Sequence, residues 1–264
     1  MIDSIRDADD AFLQNILLTV SYDGTDFCGW QKQTNAGKET YRTVQGEIEK
    51  ALEKILKHKT ELIGSGRTDS GVHAIGQIAN FFTDIKNMPP YNYMPALNSL
   101  LPHDIRIVDA KKVAADFNAR FNSRSRTYRY FCNTQEFTFA HSTRYSWNIR
   151  YMPNIVTLNK MAQELHGELD CTTFAASGDM SKRKNRYIEA AFFFIQNEMI
   201  VFEITANAFL WRMVRSLVGT MIELEKKGGT EKDFAEILHA RDRKKAGFTA
   251  PAQGLFLWNI TYAD

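Results

Sequence analysis

The chain is poor in the residues that staple or metallate a fold. Its three cysteines, Cys28, Cys132 and Cys171, are odd in number, far apart and without a CxxC spacing. That argues against a disulfide framework and against a structural zinc. No run of 18 apolar residues exists, so no membrane-spanning helix is expected. The opening MIDSIRDADDAFLQN is acidic and has no apolar centre, which is not the pattern of a secretory signal. Residues 1–14 are expected to form a loose extension, and the protein to be cytoplasmic. There is no GxGxxG fingerprint and no P-loop, so no nucleotide cofactor is implied. The six histidines form no HxxxH or HExxH pair, which implies no metal, and no GxSxG elbow offers a serine nucleophile. The formal net charge of +2 does not by itself point to a nucleic-acid partner.

What is present is ordinary globular material with clumped cations. Of 264 residues, 44% are hydrophobic and 24% charged, enough apolar content for a core of one large or two smaller domains. ARFNSRSRTYR (119–129) carries four arginines and no acid, SKRKNR (181–186) four cations and no acid, and RDRKK (241–245) four cations and one acid. Any one run could be a solvated face. Three runs with Phe121, Tyr128, Tyr130 and Tyr187 interleaved form a surface suited to a polyanion.

Hydrophobic periodicity organises the chain. NILLTVSYDG (15–24), TELIGSG (60–66), AIGQIANFF (74–82) and IRIVDAKKV (105–113) read as strands, the second running into a glycine-rich loop. TVQGEIEKALEKILKH (43–58) carries one apolar stripe and reads as a helix, and MPALNSLLP (94–102) as a short one. The later part repeats the scheme. SRTYRYFCNT (125–134) is strand-like, NIVTLNKMAQELHG (154–167) is a helix closed by Gly167, and 185–196 and 199–207 form a hairpin about Asn197-Glu198. Helices at 208–229 and 230–241, the latter capped by Thr230, lead to a last strand at 254–262. The expectation is an α+β protein of two halves, 15–114 and 115–264, each with an antiparallel sheet, and with a cleft between them as the place for a large ligand.

Three places carry candidate chemistry. GSGRTDSGVH (64–73) sets Arg67 and Asp69 on a loop between two strands. Asp69 could be a turn former or a functional carboxylate held at a sheet end. In WRMVRSLVG (211–219), Arg212 and Arg215 fall in the first turns of a predicted helix, where the helix dipole disfavours cations. Arg215 lies between apolar neighbours, so it either snorkels to solvent or meets a carboxylate, for which Asp69 is the candidate. In RTYRY (126–130), Arg126, Tyr128 and Tyr130 share one face of a strand. Tyr128 is then either core packing or a platform for a base.

These segments resemble one family. GSGRTDSGVHAIGQIANF (64–81), YDGTDFCGWQ (22–31), FNARFNSRSRTYRY (117–130), NAFLWRMVRSLVG (207–219) and PAQGLFLWNITY (251–262) are similar, in order, to the TruA family of tRNA pseudouridine synthases. The resemblance covers essentially everything after the N-terminal extension. It implies that Asp69 is the catalytic aspartate, that Arg67 assists flipping of the target base, that Tyr128 stacks on the uracil, and that Arg215 pairs with the aspartate. It implies tRNA contact by Phe117, Asn118, Ala119, Arg120 and Phe121, by Arg126, and by Lys182, Arg183 and Lys184, the last three in a loosely matched loop. Ser70 and Trp211 depart from the residues usual at their positions.

The implied activity is isomerisation of uridine to pseudouridine at tRNA positions 38, 39 and 40, without cofactor or metal, by a homodimer that binds no membrane. The implied architecture is two RRM/ferredoxin-like halves around a central RNA-binding cleft. A non-catalytic RNA-binding protein would share the basic runs, but it leaves a carboxylate in the binding loop unexplained and has no RNP1-like string. A glycosidase-like hydrolase wants two carboxylates flanking the bond, and the loop supplies one.

Overall fold

A computed structural model of the chain describes residues 13–35, 38–39 and 41–262. The expectation for residues 1–12 lies outside the described residues. Gln14, read as the end of a loose extension, begins the first strand. The protein is a mixed α+β structure of two compact units, one reaching to Ser123 and including Tyr262, the other Arg124–Thr261.

The first unit contains β1 (Gln14–Tyr22), β2 (Thr34–Asn35), β3 (Lys38–Glu39), α1 (Val44–Leu56), β4 (Ile63–Gly64), β5 (His73–Thr83), α2 (Tyr93–Asn98) and β6 (Ile105–Val113). β1 is central, antiparallel to both β5 and β6, with Leu18 opposite Ala79 on one side and Ala110 on the other. Buried on both faces, it reads as the continuous apolar run ILL rather than as an alternation. Register slips at Thr19/Val20 and Val20/Tyr22 mark irregular pairing at its C-terminal end, where bulges commonly sit beside functional loops. The stripe predicted for 43–58 is realised in α1, where Val44, Ile48, Ala51, Leu52 and Leu56 are buried and Thr43 caps the first turn through Gly46 N–H (3.3 Å). The short strand expected in TELIGSG is present as Ile63 and Gly64, which pair with Asn80 and Ala79 of β5.

Segment 115–123 belongs with this first unit, although the apolar pattern alone starts the second half there. Two buried asparagines hold it. Asn15 Nδ2 donates to the carbonyls of Ala114 (2.9 Å) and Phe117 (2.8 Å). Asn80 Nδ2 donates to Asn15 Oδ1 (2.9 Å), while its Oδ1 accepts from Ala119 N–H (2.8 Å).

The second unit contains β7 (Ser123–Asn133), β8 (Trp147–Asn148), α3 (Ile155–Gln163), β9 (Gly167–Asp170), β10 (Asn185–Gln196), β11 (Met199–Ala206), α4 (Met213–Lys226), α5 (Glu231–His239) and β12 (Leu255–Tyr262), apart from the end residues Ser123 and Tyr262. Its sheet runs β12-β7-β11-β10-β9, with β8 parallel to β7. The expected hairpin is present. Gln196 faces Met199 across Asn197-Glu198, and Asn197 has φ 55°, the left-handed conformation such a turn requires. α3 packs on β10, and Asn159 exchanges two hydrogen bonds with the backbone of Phe193 (2.9 and 2.8 Å). Phe174 stacks on Phe234, and Leu158, Met161, Phe202, Leu217 and Val218 complete a closed core.

Two expectations fail here for local reasons. α3 ends at Gln163 rather than at Gly167, which has φ 82° and opens β9. α4 starts at Met213, not at 208, because Arg212 is left-handed (φ 60°) and cannot continue a helix backward. Trp211 therefore lies ahead of the helix and is 43% exposed. The capping box of α5 does form, Thr230 N–H and Oγ1 both meeting Asp233 Oδ2 (2.7 and 2.8 Å).

Candidate active site

The Asp69 loop is clamped by the stretch that follows β1. Tyr22 Oη, at the irregularly paired end of β1, bonds Thr68 Oγ1 (2.8 Å) in a buried position. Trp30 N–H donates to Thr68 O (3.2 Å), and Phe27 O accepts from both Gly71 N–H (3.4 Å) and Ser70 Oγ (3.1 Å). Val72 N–H closes a turn onto Asp69 O (3.2 Å), with Gly71 at φ 76°. The turn chemistry read from Asp-Ser-Gly is thus real, and it is made by the backbone of Asp69. At the loop's start, Gln77 Nε2 holds Gly66 O (2.9 Å). At its end, His73 is fully buried, its Nδ1 accepting from Gly24 N–H (3.0 Å) with Asp23 Oδ1 at 3.2 Å. Arg67 is exposed, Thr68 buried and Asp69 half-buried.

The clamping stretch is itself fixed. Arg42 forks onto Asp104 (2.8 and 3.0 Å) and lies over the Phe27 ring at 4.0 Å. The Asp104 hydrogen bond raises the guanidinium above its usual range, so Arg42 stays cationic and the fork stays closed. Backbones touch so closely that a Cβ on Gly24 would stand 2.0 Å from Val72 O, and one on Gly29 2.4 Å from Thr68 O. A backbone oxygen cannot swing away as a side chain can. We therefore expect Gly24→Ala to cost at least the ~1–3 kcal/mol of an overpacked site and to lower turnover with it. Denaturant midpoints read the first effect, and a midpoint equal to wild type would contradict the packing.

In the segment FNARF only part reaches outward. Arg120 and Phe121 are exposed, Phe121 by 78%, with Arg120 over its ring at 5.6 Å. Asn118 Oδ1 accepts from Arg120 N–H (2.9 Å) and Phe121 N–H (3.2 Å). Ala119 is buried, its carbonyl taking the Tyr262 hydroxyl (2.8 Å), and Phe117 packs on the Tyr262 ring at 5.1 Å. Phe117, Asn118 and Ala119 thus build the turn that presents Arg120 and Phe121.

In the second unit, Tyr128 sits opposite Ile204 on β7 and is 8% exposed, with Phe209 edge-on to its ring (5.0 Å, 87°). Tyr130 is fully buried and its hydroxyl donates to Pro251 O (2.8 Å). Burial drives that phenol well above its usual range, with the Arg215 charge pulling the other way. Arg215, third residue of α4, is half-buried. Its Nε donates to Ala250 O (2.7 Å) and its carbonyl accepts from Ala250 N–H (3.0 Å). Ala250 is a partner the sequence does not reveal, since a backbone carbonyl leaves no residue-type signature. Arg126 Nη1 donates to Asn207 O (2.7 Å).

The SKRK loop divides by role. Lys182 and Arg183 are exposed. Lys184 Nζ is spent on the side chain and carbonyl of Asp179. Neutralising Lys182 and Arg183 together is expected to raise Kd for different tRNAs alike and to shallow the salt dependence by roughly one to two in log–log slope. Loss of affinity for one tRNA alone, at unchanged slope, would overturn the phosphate assignment.

Among the described residues no group of His, Cys, Asp and Glu is arranged to hold a metal, and no helix is long and apolar enough to cross a membrane. The chain matches the family described as tRNA pseudouridine synthase over residues 18–122 and 161–263. Arg67 and Asp69 fall in the first matched stretch, Arg215 in the second, and Tyr128 between them. A tRNA pseudouridine synthase A of Treponema denticola is 60% identical over 251 residues, covering 95% of this chain and 94% of that protein. Its namesake in Treponema pallidum (strain Nichols) is 52% identical over 235 residues, covering 89% and 84%. That of Caldicellulosiruptor saccharolyticus is 41% identical over 250 residues, covering 95% and 100%.

Proposed function

Because the chain belongs to the tRNA pseudouridine synthase family, we propose that it isomerises uridine to pseudouridine in the tRNA anticodon stem-loop, at positions 38, 39 and 40, with Asp69 as the catalytic carboxylate. The observation that carries this reading is the half-buried Asp69 on a loop locked at both ends and along its length. Such rigidity is what aiming a charge at one atom requires. The N1–C1′ bond breaks, the uracil turns, C5 bonds to C1′, and the C5 hydrogen leaves as a proton while N1 gains one. Nothing is oxidised and no group is added. An ionised carboxylate serves this chemistry by attacking C1′, by taking its proton, or by stabilising its positive character.

Tyr128 covers the base and Arg67 fills the place it leaves. A uracil leaves its stack at a cost of a few kcal/mol, and exposed Arg67 is suited to offset part of it. Arg215, held through Nε on Ala250 O, is the arginine this reading assigns to anchor the carboxylate. In this reading two RRM/ferredoxin-like halves enclose the RNA in a central cleft, the protein works in the cytoplasm, and two copies form a homodimer. Phe131, Phe256 and Trp258, half-exposed on the second unit's sheet with the Phe131 ring beside each of the other two (5.2 and 6.0 Å), are suited to such pairing.

The test is tritium release from 5-tritiated uridine in tRNA transcripts lacking U38, U39 or U40 in turn. Release is expected from the full transcript and is reduced by each deletion. No release from any transcript would refute the activity, and release indifferent to all three deletions would refute the positions.

A further inference from the structure

Asp179 is a small acid in an exposed basic loop, yet its side chain is only 4% exposed. Oδ1 accepts from Ser181 N–H (2.9 Å) and from Lys184 Nζ. Oδ2 accepts from Trp211 N–H (2.7 Å). The other side of Trp211 is also taken, because its carbonyl receives Ala176 N–H (3.0 Å). A Cβ on Gly178 would meet the Trp211 ring at 2.7 Å, so the loop and this residue lie in direct contact. Burial alone would raise the Asp179 carboxyl, but Lys184 and the Trp211 and Ser181 donors more than offset it and hold it well below the usual carboxylate range. It is therefore charged whenever the enzyme is folded at ordinary pH.

Beyond Trp211 the chain has little slack. Arg212 is pinned in the left-handed region, and α4 then begins at Met213 with Arg215 in its first turn. A shift of the Trp211 backbone thus reaches Arg215 through three residues, two of them helical.

We propose that Asp179 is a positioning residue that couples capture of the tRNA backbone by Lys182 and Arg183 to the placement of Arg215. One oxygen holds the loop that bears the two exposed cations, and the other holds the peptide that launches the arginine helix. Phosphates drawn to Lys182 and Arg183 load the first oxygen's partners, and the carboxylate passes the load to Trp211 N–H. The inference rests on reading 181–184 as an RNA-contacting loop.

The experiment compares wild type with Asp179→Asn, which keeps the shape, loses the charge that holds Lys184 and turns an NH2 group toward a former donor. Three quantities are read with an unmodified tRNA transcript: Kd by filter binding, the single-turnover rate at saturating RNA, and hydrogen exchange at the amides of 211–215 with and without RNA. In the variant we expect Kd close to wild type and a rate lower by on the order of tenfold to a hundredfold, the scale of a small misplacement. Wild-type 211–215 should exchange more slowly when tRNA binds, and the variant should lose that response. Combined with Lys182→Ala/Arg183→Ala, the rate losses should be less than additive.

A wild-type rate at saturation, or an intact exchange response in Asp179→Asn, overturns the coupling. A purely structural role predicts that second result, with stability lowered and the response kept. Should Asp179→Asn not fold, Lys184→Gln, which removes the charged one of the two donors to Oδ1 and leaves the Oδ2 arm intact, carries the same comparison. Failure of the wild type to bind tRNA, or no change in Kd on neutralising Lys182 and Arg183, would instead remove the RNA-contact reading and this inference with it. Normal binding with no response at 211–215 removes the inference alone.

Discussion

Asp69→Asn is expected to abolish turnover, with a single-turnover rate lower by ~10^4-fold or more, while tRNA binding largely survives. Losses of that size follow removal of a group that acts on the reacting atoms themselves. Asn preserves the shape of the loop. The bonds that tie the loop to residues 22–30 and close its turn are made by the Asp69 backbone, Thr68, Ser70 and Gly71, and the amide leaves these in place. What the substitution removes is a negative charge, and a carboxylate contributes nothing to phosphate attraction. Measurable pseudouridine formation by Asp69→Asn under single-turnover conditions would take the catalytic role away from it. A parallel loss of tRNA binding would mean that the residue shapes the RNA site instead.

The second large effect concerns Arg215. Losing one partner of a buried ion pair costs ~3–5 kcal/mol, because the other charge is stranded. Both side chains here are half-buried, which places the expected loss for Arg215→Ala or Asp69→Ala at the low end of that range. The hypothesis that they pair makes the singles non-additive: the double variant should be more stable than the summed losses imply. Arg215→Lys should fold yet lose rate. A lysine cannot keep Ala250 O on one nitrogen and offer two planar donors to a carboxylate. Denaturant unfolding of the cycle, with single-turnover rates alongside, decides the matter. Additive destabilisation or a fully active Arg215→Lys would dissolve the pairing.

How much of the fold and of the site is legible in the sequence depends on the range of the interaction concerned. Elements with a long periodic signal, such as α1, β5, β6 and the β10–β11 hairpin, stand where their patterns put them, because burial of one face is written in every third, fourth or second residue. β8 and β9 carried no such signal, being two and four residues long. The start of α4 was misread because apolar residues continue upstream of it, whereas the stop is set by the backbone of Arg212. Among site residues, Arg67, Asp69, Tyr128 and Arg215 stood out by type and by family likeness. The residues that hold them did not. Ala250, which takes the Arg215 guanidinium, acts through its peptide group, and Asn15 and Asn80, which hold the turn presenting Arg120 and Phe121, act across the unit. Sequence patterns report what a residue buries and are nearly silent about which distant backbone it hydrogen-bonds.

The clamp between residues 22–30 and the Asp69 loop also bears on when order is acquired. Because Tyr22, Phe27 and Trp30 bond directly to 68–71, the loop cannot open by itself. Its amides should exchange with solvent only when the β1 end unravels with it, as one cooperative unit. The loop's conformational entropy is then lost during folding, before any RNA arrives. Binding has only the RNA and the exposed side chains left to order, and the carboxylate meets each successive uridine in the same attitude.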